Sequence, residues 1–478
     1  MAMLRFFTAL CLLMAELSLL APALAAEPGK PVTHNSDPWQ IQENAVGEIT
    51  TDTNRLGIDA TSHNLPDHVS LANGVDFIAA YTAEMAANPV GGIRQEAAYA
   101  GQILVGADLD MNKLVGLNDV SVHIAVTNRQ GRSLSRDAIG NSTSVQEIWG
   151  GGQTTRLTQF TIEKKAFNDR IILEAGRGIA NTEFLSSPLY CQFQSNSVCG
   201  SPTFVFRTSS LTWWPASSWM GRIKVWMTPR VYLHAGAYEV NRSFQGNNDH
   251  GLNWSTSRAN GVIVPFELGY ATTFENDRLP RHYQIGGWYD ATHYDDPSRD
   301  IQGGYVQVSG LPAQSLYGRS GAYIRFDQMV WRPGRSQRGV TVFGVAMTGV
   351  SGRLGEDYFL EAGMVVTAPF KTRPYDTLGF MINNQSLSGA ALQGVSEART
   401  LAGLSPGTNR NQIMMELNYT FQALETVRIT PNLQYIVNPD QLRYPTRPKS
   451  IPNAFVIGLK LTVSIANLVD NMIKGHPL

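Results

Sequence analysis

Residues 411–438 read NQIMMELNYTFQALETVRITPNLQYIVN, and this stretch decides the fold class. From Ile413 to Phe421 every second residue is apolar or aromatic, and the residues between them are polar with the exception of Met414. The alternation resumes after a turn at 425–426 and continues to the end of the stretch. Because successive side chains of a strand point to opposite faces, each half has one apolar and one polar face.

Each half of this hairpin is about 10 to 14 residues long, enough for a tilted strand to cross the hydrocarbon core of a bilayer. A transmembrane β-barrel needs this pattern, with apolar side chains toward lipid and polar side chains toward water. A hairpin of a soluble β-sandwich is also apolar on one face, so the hairpin alone leaves both alternatives open.

Similar alternation elsewhere predicts an antiparallel, up-and-down barrel of about sixteen strands. The predicted strands are 70–86, 95–112, 119–128, 154–167, 169–176, 219–228, 230–241, 261–274, 281–291, 321–332, 339–349, 356–368, 375–386, 410–424, 427–438 and 454–465.

The lengths of the connections distinguish the barrel from the sandwich. Every second connection is short, and most of the others are long, with 87–94 and 350–355 as the brief exceptions. Outer-membrane barrels have short periplasmic turns, long external loops and an even number of strands, whereas a sandwich has no reason to sort its loops in this way. The connections therefore favour the transmembrane barrel.

Composition and charge are compatible with a barrel and argue against nucleic-acid binding. The chain has 38 Lys and Arg against 39 Asp and Glu, so it lacks the basic surface that binds nucleic acid. Its 17 Tyr, 19 Phe and 9 Trp could supply the aromatic belts of a membrane protein.

The N-terminus has the pattern of an export signal. Arg5 precedes an apolar stretch at 6–20, and Ala23-Leu24-Ala25 provides small residues before a cleavage site. We therefore predict a signal peptide at 1–25, a polar periplasmic lead-in at 26–69, the barrel at 70–465 and a periplasmic tail at 466–478. The predicted location is the outer membrane of a Gram-negative bacterium.

Several motifs, in order along the chain, resemble the carbohydrate-selective porin family of the OprB type. The motifs are Gly91-Gly92-Ile93-Arg94, Asp108-Leu109-Asp110, the segment 128–135, Ile139-Gly140-Asn141, Thr155-Arg156-Leu157 and the segment 432–439. The resemblance extends from about Leu56 to Ile465. It implies a sixteen-stranded porin through which mono- or oligosaccharides diffuse into the periplasm, with ion transport as a by-product and no cofactor.

The resemblance also implies contacts with outer-membrane lipid and with the assembly machinery of that membrane. A homotrimer is plausible by analogy with porins, although nothing in the sequence shows one. Barrels of this kind commonly end on an aromatic residue, whereas thirteen residues follow Ile465 here. This departure leaves open how the assembly machinery recognises the C-terminal end of the barrel.

Charged residues on the predicted polar faces are expected to line the lumen, because a charge that faces lipid near the midplane costs roughly 2–4 kcal/mol. Opposite charges and amides around a narrow lumen can replace the hydration of a sugar. The predicted pore-lining residues are Asp76, Glu84, Asp108, Arg222, Lys224, Arg325, Asp327, Glu416, Arg428 and Gln434.

The long loop at 177–218 is the third external one, and by analogy with general porins it is expected to fold inward and narrow the channel. Its aromatic residues include Tyr190, Phe193, Trp213 and Trp214. Aromatic faces suit the apolar C–H surface of a sugar. They would equally serve to pack the loop.

Cys191 and Cys199 lie in this loop, and in an exported protein two nearby cysteines are expected to form a disulfide. A zinc site is the alternative, but no His or Cys pair with ligand spacing stands nearby, so no metal site is predicted.

Two other functions remain to be weighed against sugar diffusion. The first is a general or anion-preferring porin without sugar selectivity. The second is a barrel hydrolase, but the chain has no HExxH and no phosphate-binding loop. No catalytic residue is therefore predicted.

Overall fold

The computed structural model describes residues 68–198, 201–274, 276–334, 336 and 338–474. The predicted signal peptide and almost all of the lead-in lie outside these residues. Sixteen antiparallel strands, β2 to β17, form a closed barrel in which the last strand pairs with the first, from Phe455 opposite Val90 to Ser464 opposite Ala80. A short additional strand, β1, pairs with the first residues of β2. The predicted fold class is confirmed.

The strand bounds agree with the prediction to within a few residues for most of the barrel. The strands are β1 His68–Ala72, β2 Val75–Val90, β3 Ala97–Asp110, β4 Val120–Gly131, β5 Thr155–Ala166, β6 Ile171–Gly178, β7 Ser218–Thr228, β8 Val231–Val240, β9 Gly261–Ala271, β10 Arg281–Asp300, β11 Ala313–Trp331, β12 Gly339–Ser351, β13 Glu356–Thr367, β14 Thr377–Leu387, β15 Asn411–Leu424, β16 Val427–Val437 and β17 Ala454–Ser464.

The hairpin of β15 and β16 has the two faces that its sequence predicts. Leu417 and Leu433 are opposite each other and are 46% and 45% exposed on the outer wall. Glu416 and Gln434, also opposite each other, are 0% and 1% exposed on the inner side. The alternation therefore separates a lipid-facing surface from a lumen-facing one.

The ends of the barrel differ in loop length, as the connections predicted. Turns such as 425–426 and 229–230 stand at one end, and loops such as 132–154 and 179–217 stand at the other. Between β5 and β6, Asn168 and Asp169 have φ values of 55° and 62°. Asn and Asp tolerate this left-handed conformation better than most residues, which allows the tight turn.

β10 and β11 are longer than predicted, because the predicted loop 292–320 continues the hairpin. Asp295 pairs with Ser315, and the chain reverses only at 301–312. The residues of this extension are mostly polar on both faces, so the alternation that indicated strands in the membrane is missing from its sequence.

In the part of the chain that the structure describes, five α-helices lie in the connections or after the last strand and are not part of the wall. They are α1 Met111–Val115, α2 Thr203–Thr208, α3 Val306–Ser309, α4 Gly389–Leu401 and α5 Ile465–Lys474. Among the described residues, no helix is long and apolar enough to cross a membrane.

The predicted tail at 466–478 begins with helix α5, at the end of the barrel where the turns are short. Ile465 and Ala466 pack against Val69, Phe77 and Ala79 on the outer side of β1 and β2. The barrel therefore does not end on the aromatic residue that is common in such proteins, and a helix covers this part of the wall instead.

Candidate functional site

Two loops fold into the barrel from the end with the long loops. Loop L2 comprises residues 132–154, and loop L3 comprises residues 179–217. L3 reaches the opposite wall, where the Gln192 side chain donates to Asn418 Oδ1 at 2.7 Å and to Thr420 Oγ1 at 3.1 Å. The Ser187 hydroxyl donates to both carboxylate oxygens of Asp327, each at 3.1 Å. The inward course predicted for this loop is confirmed.

Helix α2 of L3 is oriented by its apolar residues. Pro202 precedes the helix, where its fixed φ and missing N–H are tolerated. Phe204 and Val205 are buried in a cluster that includes Trp288 and Phe359 of the wall. Phe206 and Arg207 follow on the other side of the helix and line the central cavity. The sequence of the helix thus places one aromatic and one cationic side chain beside the channel.

A wall carboxylate holds the middle of L3. The backbone N–H groups of Gln194 and Ser195 donate to Glu416 at 2.9 and 2.8 Å, and Asn418 Nδ2 donates to it at 2.9 Å. Charge-assisted hydrogen bonds of this kind are about twice as strong as neutral ones. Glu416 therefore fixes a stretch of loop backbone across the lumen.

L2 is attached both to the wall and to L3. The hydroxyl of Ser142 donates to Asp440 at 2.6 Å, in the loop before β17. The N–H of Glu147 donates to the carbonyl of Gln194 at 2.9 Å, and the N–H of Asn196 donates to the carbonyl of Ser144 at 3.0 Å. L2 and L3 therefore form one continuous inner layer.

A cavity of about 480 Å³ remains between L2, L3 and the loop 241–260. Its lining combines aromatic, amide, hydroxyl and charged side chains. The lining residues include Arg129, Arg136, Ser142, Ser144, Glu147, Trp149, Gln153, Asn181, Thr182, Ser187, Asn196, Phe206, Arg207, Trp213, Trp214, Gln245 and Asn247.

Each cavity arginine lies close to a carboxylate. Arg129 Nη2 is 4.0 Å from Glu147, Arg136 Nε is 2.9 Å from the Asp137 carboxylate, and Arg207 Nε is 2.7 Å from Glu356. Three arginines but only one carboxylate, that of Glu147, line the cavity itself, and the carboxylates of Asp137 and Glu356 balance the other two arginines from outside the lining.

Some polar groups of the residues that line the cavity have no hydrogen-bond partner among the described residues. The indole N–H of Trp149 and both atoms of the Gln153 amide are buried and have no hydrogen-bond partner among the described residues. The Trp149 ring itself is fixed by the Arg136 guanidinium, which lies 4.9 Å from the ring centre. The residues that line the cavity thus carry two donors and an acceptor without a protein partner.

The predicted aromatic residues of L3 occupy two different environments. Trp213 and Trp214 line the cavity, and the indole N–H of Trp214 donates to Gln102 at 3.0 Å. Tyr190 and Phe193 are 0% exposed and pack against Phe343 of the wall. Burial raises the pKa of the Tyr190 phenol well above its usual value. These two rings anchor the loop.

The structure contains a disulfide bond at Cys191, which also lines the cavity. The proposed partner, Cys199, lies outside the described residues. The pairing itself stays a prediction.

All ten of the predicted pore-lining residues lie on the inner side of their strands. None of the ten is among the described residues that line the central cavity. Arg222 is buried among Glu163, Glu174 and Glu183, with nitrogen–oxygen distances of 3.2, 2.6 and 3.4 Å. The Lys224 ammonium lies 4.6 Å from the centre of the Tyr232 ring.

The other predicted residues contact neighbouring wall residues or the inner loops. Arg325 is buried, pairs with Asp327 and donates to Gln284 at 2.5 Å. Glu84 Oε2 accepts from the N–H of Ile148 at 3.2 Å, and the Gln434 amide donates to the carbonyl of Val145 at 3.1 Å. Asp108 contacts His123, and Glu416 binds L3 as described above. Asp76 is partly exposed, and Arg428 is buried.

The sequence did not indicate the contribution of L2. Arg129, Glu147, Trp149 and Gln153 lie in or beside a segment that had been predicted only as an external loop. A loop that folds inward has no periodicity of its own, because its side chains contact residues that are distant in sequence. The motifs at 128–135 and at Ile139-Gly140-Asn141 lie at the start of this segment and within it, so they were a signal that the segment matters.

Comparisons with known proteins agree with this architecture. Residues 94–465 match the model of the family described as carbohydrate-selective porin, OprB family. The chain is similar to Porin B of Pseudomonas aeruginosa, with 29% identity over 406 residues, covering 82% of this chain and 87% of that protein. It is also similar to the putative porin QuiX of Acinetobacter baylyi, with 27% identity over 415 residues, covering 82% and 89% of the two chains.

A solved structure gives the same result. The high-pH structure of OprB from Pseudomonas putida superimposes with a TM-score of 0.74 at 30% sequence identity, covering 82% of this chain and 94% of that one. The family match includes both inner loops and all strands from β3 to β17. The chain therefore belongs to the OprB family of carbohydrate-selective porins and is a sugar-selective porin of the Gram-negative outer membrane.

Proposed function

We propose that mono- or oligosaccharides cross this porin through the cavity between L2 and L3. The observation that carries the proposal is the combination of groups in that cavity. Phe206 and Trp213, with ring centres 5.1 Å apart, offer apolar surfaces for sugar C–H groups. Trp149 and Gln153 offer unpartnered polar atoms for sugar hydroxyls.

Neutral solutes suit the charge of this cavity. The arginines are paired with carboxylates, so they contribute hydrogen-bond donors without a large excess of positive potential. Each hydrogen bond that replaces one to water contributes about 0.5–1.5 kcal/mol, which favours transient binding. A channel needs this weakness, because the solute must leave as easily as it enters.

Sugar block of ion current tests the proposal. In planar bilayers, monosaccharides are expected to reduce the single-channel current with half-saturation in the millimolar range, on the order of −4 kcal/mol. Trp213→Ala should weaken the block. Trp254→Ala is the matched control, because Trp254 packs against Phe160 on the outer side of the barrel. Strong block by phosphate without block by sugars would replace the proposal with an anion-preferring porin.

The ten wall residues act, on this proposal, as a lining and support for the two loops. We assign no catalytic step to the chain, and hydrolysis of an ester substrate by the reconstituted barrel would contradict this assignment. Contacts with outer-membrane lipid and with the assembly machinery, and a homotrimeric state, are part of the same proposal.

A further inference from the structure

A second cavity, of about 290 Å³, lies beside the central one at the end of the barrel with the long loops. Four residues, Phe206, Arg207, Trp213 and Gln245, line both cavities. The rest of the second lining comes from the end of L3, the start of β7, the loop after β8, and Arg319 of β11. We propose that the second cavity is a separate binding position for one monosaccharide, adjoining the central position. This proposal rests on the proposed function.

The aromatic pair gives each cavity an apolar surface. The Phe206 and Trp213 rings are inclined by 58° to each other, so they do not stack face to face. Both residues belong to the linings of both cavities. A sugar in either cavity can therefore contact aromatic surface through its C–H groups.

Fixed polar groups complete the second cavity. Arg319 donates from Nε to Asp290 at 2.9 Å and from Nη2 to the Ser210 hydroxyl at 3.0 Å, and its guanidinium lies 4.6 Å from the centre of the Tyr294 ring. Because its charge is paired with Asp290, this arginine favours a neutral polar solute over a free anion.

A buried hydroxyl in this cavity has no partner. Ser218, at the start of β7, is 1% exposed, and its Oγ has no hydrogen-bond partner among the described residues. A buried polar group without a partner is destabilising, and such groups are rare in folded proteins. Ser218 lines the cavity, so rotation of its side chain toward the cavity would let a sugar hydroxyl supply the missing hydrogen bond.

The size of the cavity sets the size of the ligand. Ligand sites commonly have volumes of roughly 300–1,000 Å³, so 290 Å³ is at the lower limit and suits one sugar ring. The central cavity of 480 Å³ has room for a ring of its own. We therefore expect two monosaccharide positions that can be distinguished by mutation.

Single-channel recordings with glucose provide the test. Two positions are expected to give two populations of blocked dwell times in the wild-type channel. Ser218→Val, which replaces the hydroxyl with a methyl group and adds a second methyl group on Cβ, should remove one population and leave the other. Ser218→Ala should weaken the same population by roughly two- to tenfold. Gln153→Ala, in the central cavity, is the matched variant and should weaken only the other population.

The outcomes separate this inference from the proposed function. A single dwell-time population in the wild type, or equal effects of the Ser218 and Gln153 variants on one population, would overturn the second position while sugar passage stands. If glucose does not block the wild-type channel at all, the proposed function fails as well. Heat-modifiable migration of each variant on gels confirms that its barrel has folded.

Discussion

Adjacent residues of β15 are in opposite surroundings. Leu417 is 46% exposed on the outer wall, and Glu416 is fully buried under L3. The free energy of the barrel therefore depends on outward side chains being apolar, while its channel depends on inward side chains that bind the loops. Substitutions at the two kinds of position should affect different measurements.

We expect Leu417→Arg to impair folding of the barrel, because an arginine near the bilayer midplane costs roughly 2–4 kcal/mol. Thr82→Arg is the control, since Thr82 is a partly exposed residue on the inner side of β2. The fraction of heat-modifiable protein after refolding into liposomes measures the effect. Equal losses in the two variants would show that the assigned faces are wrong.

Replacement of Glu416 by Gln should leave the barrel folded but loosen L3. The amide that takes the place of the carboxylate removes the charge that accepts the N–H groups of Gln194 and Ser195. We expect greater current noise and weaker sugar block. Asp357→Asn, which changes an exposed carboxylate that pairs with Arg410, should alter neither. Unchanged noise in Glu416→Gln would argue against this role in holding the loop.

At the scale of elements, L3 is an inner wall held at several points. Tyr190 and Phe193 bury their rings against β12, Glu416 binds the backbone, and Arg207 pairs with Glu356 at the start of β13. The loop thereby contacts the inner surface of strands from β11 to β16, and the cavity lies between it and L2. The position of the channel is thus a property of the loops rather than of the strands.

We predict that changing both Cys191 and Cys199 to Ser leaves the strand ladder intact. The predicted disulfide closes a short segment of L3, and such a link contributes about 2–3 kcal/mol by restraining the unfolded chain. Circular dichroism of the double variant should therefore match that of the wild type, while the sugar-blocked current becomes noisier. Peptide mass mapping without reduction tests the pairing, and two free thiols in the wild type would contradict it.

At the scale of the whole molecule, the chain is almost neutral, with a net charge of −1, and many charged residues of the described strands are buried on the inner side. Opposite charges lie side by side there, as in the group formed by Arg222 and three glutamates. Such an arrangement neutralises the wall while it leaves many donors and acceptors near the solute path.

This balance predicts weak ion selectivity. In a potassium chloride gradient, the reversal potential should correspond to nearly equal permeabilities for anions and cations, with the anion permeability at most about three times the cation permeability. The reason is that the cavity arginines are paired with carboxylates. Glu147→Gln should raise the ratio of anion to cation permeability, since it leaves Arg129 without the carboxylate 4.0 Å away. The effect should diminish at high salt, where the Debye length is shorter. A strongly anion-selective wild type would contradict the proposed pairing of charges.

The sequence by itself determined the barrel. In residues 411–438, and in the other strands within the bilayer, each outward side chain has to be apolar because no water is available to it, so the alternation is visible in the sequence. The alternation of short and long connections also indicated which ends of the strands lie on the periplasmic side and which on the external side. Together they were sufficient for the strand number, the two faces, and the sidedness of residues such as Arg222 and Lys460.

The inward course of L3, with Trp213 and Trp214, followed from the sequence, but tertiary structure decided the rest of the candidate site. Glu84 and Glu416 were expected to face the solute, but they are covered by L2 and L3 and bind loop backbone. Trp149 and Gln153 line the cavity although their segment has no periodic pattern. The physical reason is that a lipid-facing strand has a uniform environment that fixes residue type at every second position, whereas the course of an inner loop depends on individual contacts between residues that are distant in sequence.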